Sequence, residues 1–305
     1  MPRVVSADPY MILGLIRSMR PKQWVKNLFV LAPVVFAKNL FHEPVLLRAL
    51  AAVAAFSMLS GAVYTINDLV DVEEDRRHPT KRLRPVASGD VSIPVARGAS
   101  VFLIVVALAG AFAIDPAVGG SALAYLALNL AYSLRLKQVA YLDVACIAAG
   151  FVLRVVAGSY AVSTPAHPVH PSLYLLLSTG FLALFLGFGK RAHELEVHEA
   201  KARSSLRAYS PVALRAVLWT FALLTVGVYL AWTLDPPPQL VFARRYLWIT
   251  TAFVLVAMTR FVKLLRSRDG ESPTDAMLRD VPFVVTVLGW AVLVVTIIYQ
   301  LRPTG

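Results

Sequence analysis

Five acidic and then five basic side chains crowd into NDLVDVEEDRRHPTKRLRP, Asn67–Pro85, directly after the apolar run LLRALAAVAAFSMLSGAVYTI. Asn67, Asp68, Asp71 and Asp75 stand three, four, seven and eight residues apart. If the preceding helix continues past Ile66, these spacings put all four on one face. Stacked like charges repel by a few tenths of a kcal/mol per exposed pair, and by more where water is scarce. A compensating partner is therefore expected. Carboxylate and amide oxygens suit a hard divalent cation, and Mg²⁺ commonly takes one or two carboxylates plus substrate phosphates. Glu73 falls off the stripe and is expected in solvent. Arg76, Lys81, Arg82 and Arg84 follow at once and supply the positive charge that a metal-bound diphosphate needs. His78, beside Pro79, is expected to be a surface or packing residue, with contact to substrate as the alternative.

Three further groups are candidates for binding phosphate. Lys22 and Lys26 are four apart where the first apolar stretch begins, so a helix would stack them, with Trp24 as an interface residue. Asp143 and Arg154 are eleven apart, three helical turns, so both point the same way from one apolar segment. Ionisable groups in such a segment are costly and read as functional by default. Gly150 and Gly158 on the same segment mark close helix contacts. The third group is GFGKRAHELEVHEAKARSSLRAYS, which has no Asp from Gly187 to Ser210. Lys190, Arg191, Glu194 and His198 would share one side of a helix. Lys201, Arg203 and Arg207 add positive charge, and Tyr209 a phenol. This loop suits phosphate oxygens better than a second carboxylate–metal cluster.

The elements that must carry these groups are membrane helices. The chain has 305 residues, 58% of them hydrophobic and 16% charged, against about 25% charged in an ordinary soluble domain. Its mean hydropathy is +0.65. The expected fold is an all-α polytopic membrane protein, a single integral membrane domain over 1–305. About nine spans are expected near 24–41, 46–66, 94–114, 118–134, 141–160, 172–189, 212–233, 246–263 and 281–301. Short alternating strands, the mark of a barrel, are missing.

Lys and Arg concentrate in alternate connections, which places the N-terminus and the polar loops 67–92 and 190–211 in the cytoplasm. The net charge of +12 is explained by that bias and by anionic lipid or phosphate partners, not by nucleic acid. The one cysteine, Cys146, excludes a disulfide framework. The N-terminus lacks a signal-peptide cleavage pattern, so entry by the spans themselves is expected. An oligomer is compatible with the sequence, though nothing in it demands one.

NDLVDVEEDR followed by RPVASG resembles the first signature of the UbiA superfamily of intramembrane prenyltransferases. The resemblance extends over the nine spans and both polar loops. It implies a helical membrane fold whose Asp-rich motifs bind Mg²⁺ and a prenyl diphosphate. The second loop departs from that pattern. With RPKQWVKN (Arg20–Asn27), DRRHPTKRLRPVASG (Asp75–Gly89), YLDVACIAAGFVLRVVAG (Tyr141–Gly158) and GKRAHEL (Gly189–Leu195), it is similar instead to the decaprenyl-phosphate phosphoribosyltransferase branch. That branch serves arabinan synthesis in mycobacterial and related cell envelopes. The likeness implies phosphoribosyl diphosphate as donor, a polyprenyl phosphate as acceptor and a bacterial plasma-membrane location. Asp68, Asp71, Asp75, Lys81 and Arg82 would be catalytic. Asn67, Asp68, Asp71 and Asp75 would hold the metal. Lys22, Lys26, Arg76, Arg84, Asp143, Arg154, Lys190, Arg191 and Glu194 would bind substrate phosphates. The alternatives are a prenyl diphosphate with an aromatic acceptor, and a lipid transporter. The second is disfavoured because charge clusters at span ends and not at the midplane.

Overall fold

The structure, a computed structural model, describes residues 9–165, 168–197, 209–235, 240, 243–265 and 273–300. The α-helices in chain order are α1 (Pro9–Ser18), α2 (Ala32–Phe36), α3 (Glu43–Val70), α4 (Val72–Arg77), α5 (Pro85–Ser88), α6 (Ile93–Ile114) and α7 (Pro116–Leu134). They continue with α8 (Leu142–Val162), α9 (Leu173–Val197), α10 (Pro211–Leu234), α11 (Arg244–Leu247), α12 (Thr250–Leu265), α13 (Pro273–Arg279) and α14 (Val281–Tyr299). Among the described residues, eight helices are long and apolar enough to cross a membrane. They are α3, α6 to α10, Arg245–Leu265 and α14. Their outward Phe102, Leu223 and Val292 are exposed by 66%, 74% and 67%. Such side chains would be misplaced in water and are at home in lipid.

The first expected span is not an α-helix. Pro21–Leu31 is an 11-residue 3-10 helix, followed by α2. Three residues per turn aligns Trp24, Asn27, Val30 and Pro33, and Asn27, Val30 and Pro33 are buried. At about 2.0 Å per residue a 3-10 helix is longer than an α-helix of equal count. Eleven residues rise about 22 Å. The five of α2 add about 7 Å. The contour of the segment thus approaches the ~30 Å hydrocarbon thickness without an α-helix of spanning length. The altered period also corrects the expectation for Lys22 and Lys26. Residues four apart stack in an α-helix and diverge by about a third of a turn in a 3-10 helix. Lys22 is exposed and Lys26 half-buried.

The chain forms two compact units. The first contains 1–34, 39–133 and 153–170. In it α3 packs along α6 and the 3-10 helix, around Phe56, Leu59, Val63, Ala107, Ala111, Val118, Ala122 and Ala157. Small residues let these backbones approach. The tightest approach is at Gly158, where a Cβ would stand 2.0 Å from the Val30 carbonyl oxygen. The second unit contains 35–38, 134–152 and 171–305. There α9 packs along α10, and α12 along α14, around Phe185, Phe188, Leu214, Leu218 and Phe261. Tyr229, buried in this unit, bonds Thr250 at 2.7 Å and accepts from Trp290 Nε1 at 2.7 Å. Helices α3 and α9 have 28 and 25 residues, about 42 and 37 Å. Both exceed the hydrocarbon core, so each carries its polar C-terminal turns past the apolar layer.

Candidate active site

The acid cluster closes the polar end of α3. The helix does not run on through the motif. It ends at Val70, and Asp71 (φ −92, ψ 9) leaves helical geometry before α4 begins. The single continuous face expected for Asn67, Asp68, Asp71 and Asp75 is thus broken at Asp71. The backbone pairing persists across the break: Asp71 N–H donates to Asn67 O at 2.9 Å, and Asp75 N–H to Asp71 O at 2.8 Å. Asp68 and Asp75 stay close because one guanidinium serves both. Arg84 Nη1 donates to Asp75 Oδ2 at 2.6 Å and to Asp68 Oδ1 at 3.3 Å. Arg20 Nη2 donates to the same Asp68 oxygen at 2.6 Å, with its guanidinium 4.9 Å from the Tyr64 ring centroid. The carboxylates are sealed, each 2% exposed, whereas Arg20 and Arg84 are 33% and 29% exposed.

Arg20 is the residue that local sequence reasoning missed. Its partner is 48 positions away, so no helical spacing connects them. It lies in the left-handed region at φ 51, unfavourable for a residue with a Cβ. That turn, immediately before Pro21, aims the side chain at Asp68.

Asn67 Oδ1 is buried and accepts no hydrogen bond among the described residues. An orphaned buried oxygen is rare, and here it adjoins Asp68 and lies one turn before Asp71. Among the described residues no three His, Cys, Asp or Glu side chains are grouped to hold a metal ion by themselves. The donors on hand are all oxygen, one amide and the neighbouring carboxylates, and they fit a hard cation that draws its remaining ligands from a substrate.

The basic half of the motif divides. Arg76 pairs with exposed Glu73 at 2.7 Å and donates from Nε to Ala87 O at 3.4 Å. Lys81 and exposed Arg82 have no ion-pair partner among the described residues. His78 Nδ1 accepts from the backbone N–H groups of Thr80 and Lys81, both at 3.3 Å. The histidine thus shapes the turn.

Within the first unit Arg154 is 6% exposed. Its Nε donates to Asn27 Oδ1 at 2.8 Å and its Nη2 to the Tyr125 hydroxyl at 2.9 Å. Asn27 Nδ2 in turn donates to Ser57 Oγ at 3.0 Å and Ser60 Oγ at 3.3 Å. This network ties α8 to α3, α7 and the 3-10 helix and satisfies its polar atoms inside an apolar environment.

In the second unit, Arg191 Nε pairs with Asp143 Oδ2 at 2.8 Å, their side chains 2% and 1% exposed. Arg191 also bonds Glu194, and Lys190 Nζ lies 3.8 Å from Glu194 Oε1. Tyr209 donates to Asp143 Oδ1 at 2.7 Å and accepts from Tyr141 N–H at 2.7 Å. Burial, and then the bond to Asp143, push the Tyr209 phenol well above its ordinary range. Lys190, Arg191 and Glu194 do come together on one side of α9. Arg191 is sealed against protein carboxylates, while Lys190, 43% exposed, faces outward. His198, Lys201, Arg203 and Arg207 lie outside the described residues.

The sequence profile of the UbiA prenyltransferase family matches residues 28–288. A decaprenyl-phosphate phosphoribosyltransferase of Corynebacterium glutamicum is 35% identical over 297 residues, covering 94% of this chain and 87% of that protein. One from Mycobacterium tuberculosis is 32% identical over 295 residues, covering 94% of this chain and 95% of that protein. Among solved structures, a UbiA homolog from Archaeoglobus fulgidus bound to GPP and Mg²⁺ matches with a TM-score of 0.71 at 20% identity. That match covers 93% of this chain and 99% of the other, and it bears on the fold alone. The acid cluster at the end of α3 thus sits in a helical architecture that profile, relatives and solved structures share, and the chain belongs to the UbiA prenyltransferase family.

Proposed function

We propose that the chain transfers the 5-phosphoribosyl group from 5-phosphoribosyl 1-diphosphate to a polyprenyl phosphate, releasing diphosphate. One observation carries this reading: likeness at 32–35% identity over 94% of the chain to proteins named decaprenyl-phosphate phosphoribosyltransferase. A second loop built on Arg191 and Lys190, without aspartates, agrees with it. The product would be a 5-phosphoribosyl-1-phosphoryl polyprenol. The site would open to the cytoplasmic side of a bacterial plasma membrane, where the soluble donor meets the lipid.

Mg²⁺ held by Asn67, Asp68, Asp71 and Asp75, together with donor phosphate oxygens, would neutralise the charge of the leaving diphosphate. The chain's own groups do the rest. Arg84 and Arg20 each spend only part of a five-donor guanidinium on carboxylates. Their remaining N–H groups, with Lys81, Arg82 and Arg76, bind and orient the diphosphate. The ribose C1–O bond breaks with its electron pair leaving on the diphosphate oxygen. A phosphate oxygen of the lipid forms the new bond to C1, which passes through oxocarbenium character. The acceptor is already an anion, so no base must remove a proton. Positioning and electrostatics are the protein's contribution. Lys22 and Lys26 would meet the lipid phosphate or the sugar 5-phosphate, and Lys190 would bind a substrate phosphate. Asp143, Arg154, Arg191 and Glu194 act as positioning residues, since each is engaged with other side chains.

The test is a donor competition. The purified full chain receives Mg²⁺, phosphoribosyl diphosphate, geranyl diphosphate, a polyprenyl phosphate and an aromatic acid. The expected outcome is a ribose-phosphate-labelled lipid and no prenylated aromatic. The converse would replace this reading with the prenyl-transfer one.

A further inference from the structure

Helix α1 carries an apolar face that the described residues do not cover. Tyr10, Ile12, Leu13 and Ile16 are exposed by 79%, 46%, 45% and 46%. On a helical projection Ile12, Ile16 and Leu13 fall within an arc of roughly 100°, with Arg17 and Tyr10 at its edge. The opposite arc faces protein. Gly14 and Ser18 are buried there. A Cβ on Gly14 would stand 2.7 Å from Val91 Cγ2 and 3.6 Å from Pro85 Cβ. The inner face lies on α5 and α3. The helix has ten residues, about 15 Å, half of what a span requires.

We infer that α1 is an in-plane membrane anchor, its outer face sunk at the headgroup–acyl boundary and Arg17 on lipid phosphate. A short amphipathic helix with an aromatic and a cation at the rim of its apolar face is built for that layer. The bilayer is at hand, because α1 packs beside α3, itself long and apolar enough to cross a membrane. A second protein is a poorer occupant: four side chains fall well short of the roughly 20–30 residues a side of a stable interface. The anchor also reaches the acid cluster. Two residues beyond Ser18 stands Arg20, and the Pro85 against which Gly14 rests follows Arg84. Arg20 thus follows the anchor closely in sequence, and Arg84 adjoins the α5 residue against which the anchor packs. The inference holds whichever group is transferred.

The test places nitroxide labels on the full chain in nanodiscs containing 20% anionic phospholipid. One label goes at Ile16→Cys and, in a second sample, one at exposed Glu74→Cys. Native Cys146 is buried, and the unsubstituted chain controls for its labelling. The label at position 16 should be relaxed several-fold more by oxygen than by a water-soluble nickel chelate, with the reverse at position 74. Equal exposure of both labels to the nickel chelate overturns the anchor. So does a position-16 label reached by neither relaxer, which would mean a second copy or the rest of the chain covers the face. Removing the anionic lipid should raise the label toward water, and Arg17→Gln should abolish that response. A response that survives Arg17→Gln overturns the headgroup contact.

Discussion

Two arginine–carboxylate clusters sit at the polar ends of long helices, and they differ in one respect that decides their use. At the end of α3, Asp68 and Asp75 are buried while Arg20 and Arg84 are about a third exposed. On α9, Arg191 is as buried as the Asp143 it pairs with. Guanidinium groups with a free, wet side can take on phosphate oxygens at small cost. One that is sealed would first have to abandon a desolvated carboxylate. On the proposed function, ion pairs alike in composition would serve as a ligand site in one unit and a structural lock in the other. The orphaned Asn67 oxygen falls in the first.

The comparison can be broken at several points. Asp68→Asn should cut transfer on the order of 100-fold or more with the fold intact, measured by turnover and by circular dichroism. Near-normal turnover would remove the cluster from the chemistry. Arg191→Met should act on stability first. It leaves the Asp143 charge buried and unpaired, a loss of about 3–5 kcal/mol, visible as a lower unfolding temperature in detergent. The double change Arg191→Met with Asp143→Leu should recover much of that loss, because an apolar pair of similar volume often equals a buried ion pair. Failure of the double variant to recover would give the pair a role beyond locking. Arg20→Lys should raise the KM for the diphosphate donor roughly tenfold, about 1.4 kcal/mol, with little change in unfolding temperature. A stability loss with unchanged KM would make Arg20 a lock as well.

Tyr209→Phe is the smallest of these changes, about 1 kcal/mol for hydrogen bonds lost. It carries a pH signature. The folded phenol holds its proton more tightly than the unfolded one, since burial and the bond to Asp143 raise it. Its contribution is therefore full below the unfolded value of about 10 and is lost as pH rises through the higher folded value. Alkaline unfolding should keep this limb in the parent chain and lose it in Tyr209→Phe.

The helices were legible in the sequence because their cause, an apolar run of bilayer length, is local. The span expected at 46–66 is α3 at Glu43–Val70, and that at 281–301 is α14 at Val281–Tyr299. The first segment misled because Trp24, Asn27, Val30 and Pro33 repeat every three residues, a 3-10 period easily lost in a greasy run. The acid motif was legible as a cluster, but its break at Asp71 was not. What no local pattern carried were the partnerships. Arg20 with Asp68 and Arg191 with Asp143 are each 48 positions apart, and Arg154 meets Asn27 across 127. Spacing put Lys190, Arg191 and Glu194 on one side of α9, but it failed at Asp71 and at Lys22 and Lys26, where the helix breaks or changes period. Which of them are already spent on protein partners depends on tertiary contact.

The most direct test of this division is an arginine footprint. The full chain is treated with phenylglyoxal, with and without Mg²⁺ and phosphoribosyl diphosphate, and each arginine is read by mass spectrometry. The account predicts that Arg20 and Arg84 are modified in the free protein and protected by the donor, while Arg191 stays unmodified in both. Modification of Arg191 that the donor suppresses, with Arg20 and Arg84 indifferent to it, would contradict the account.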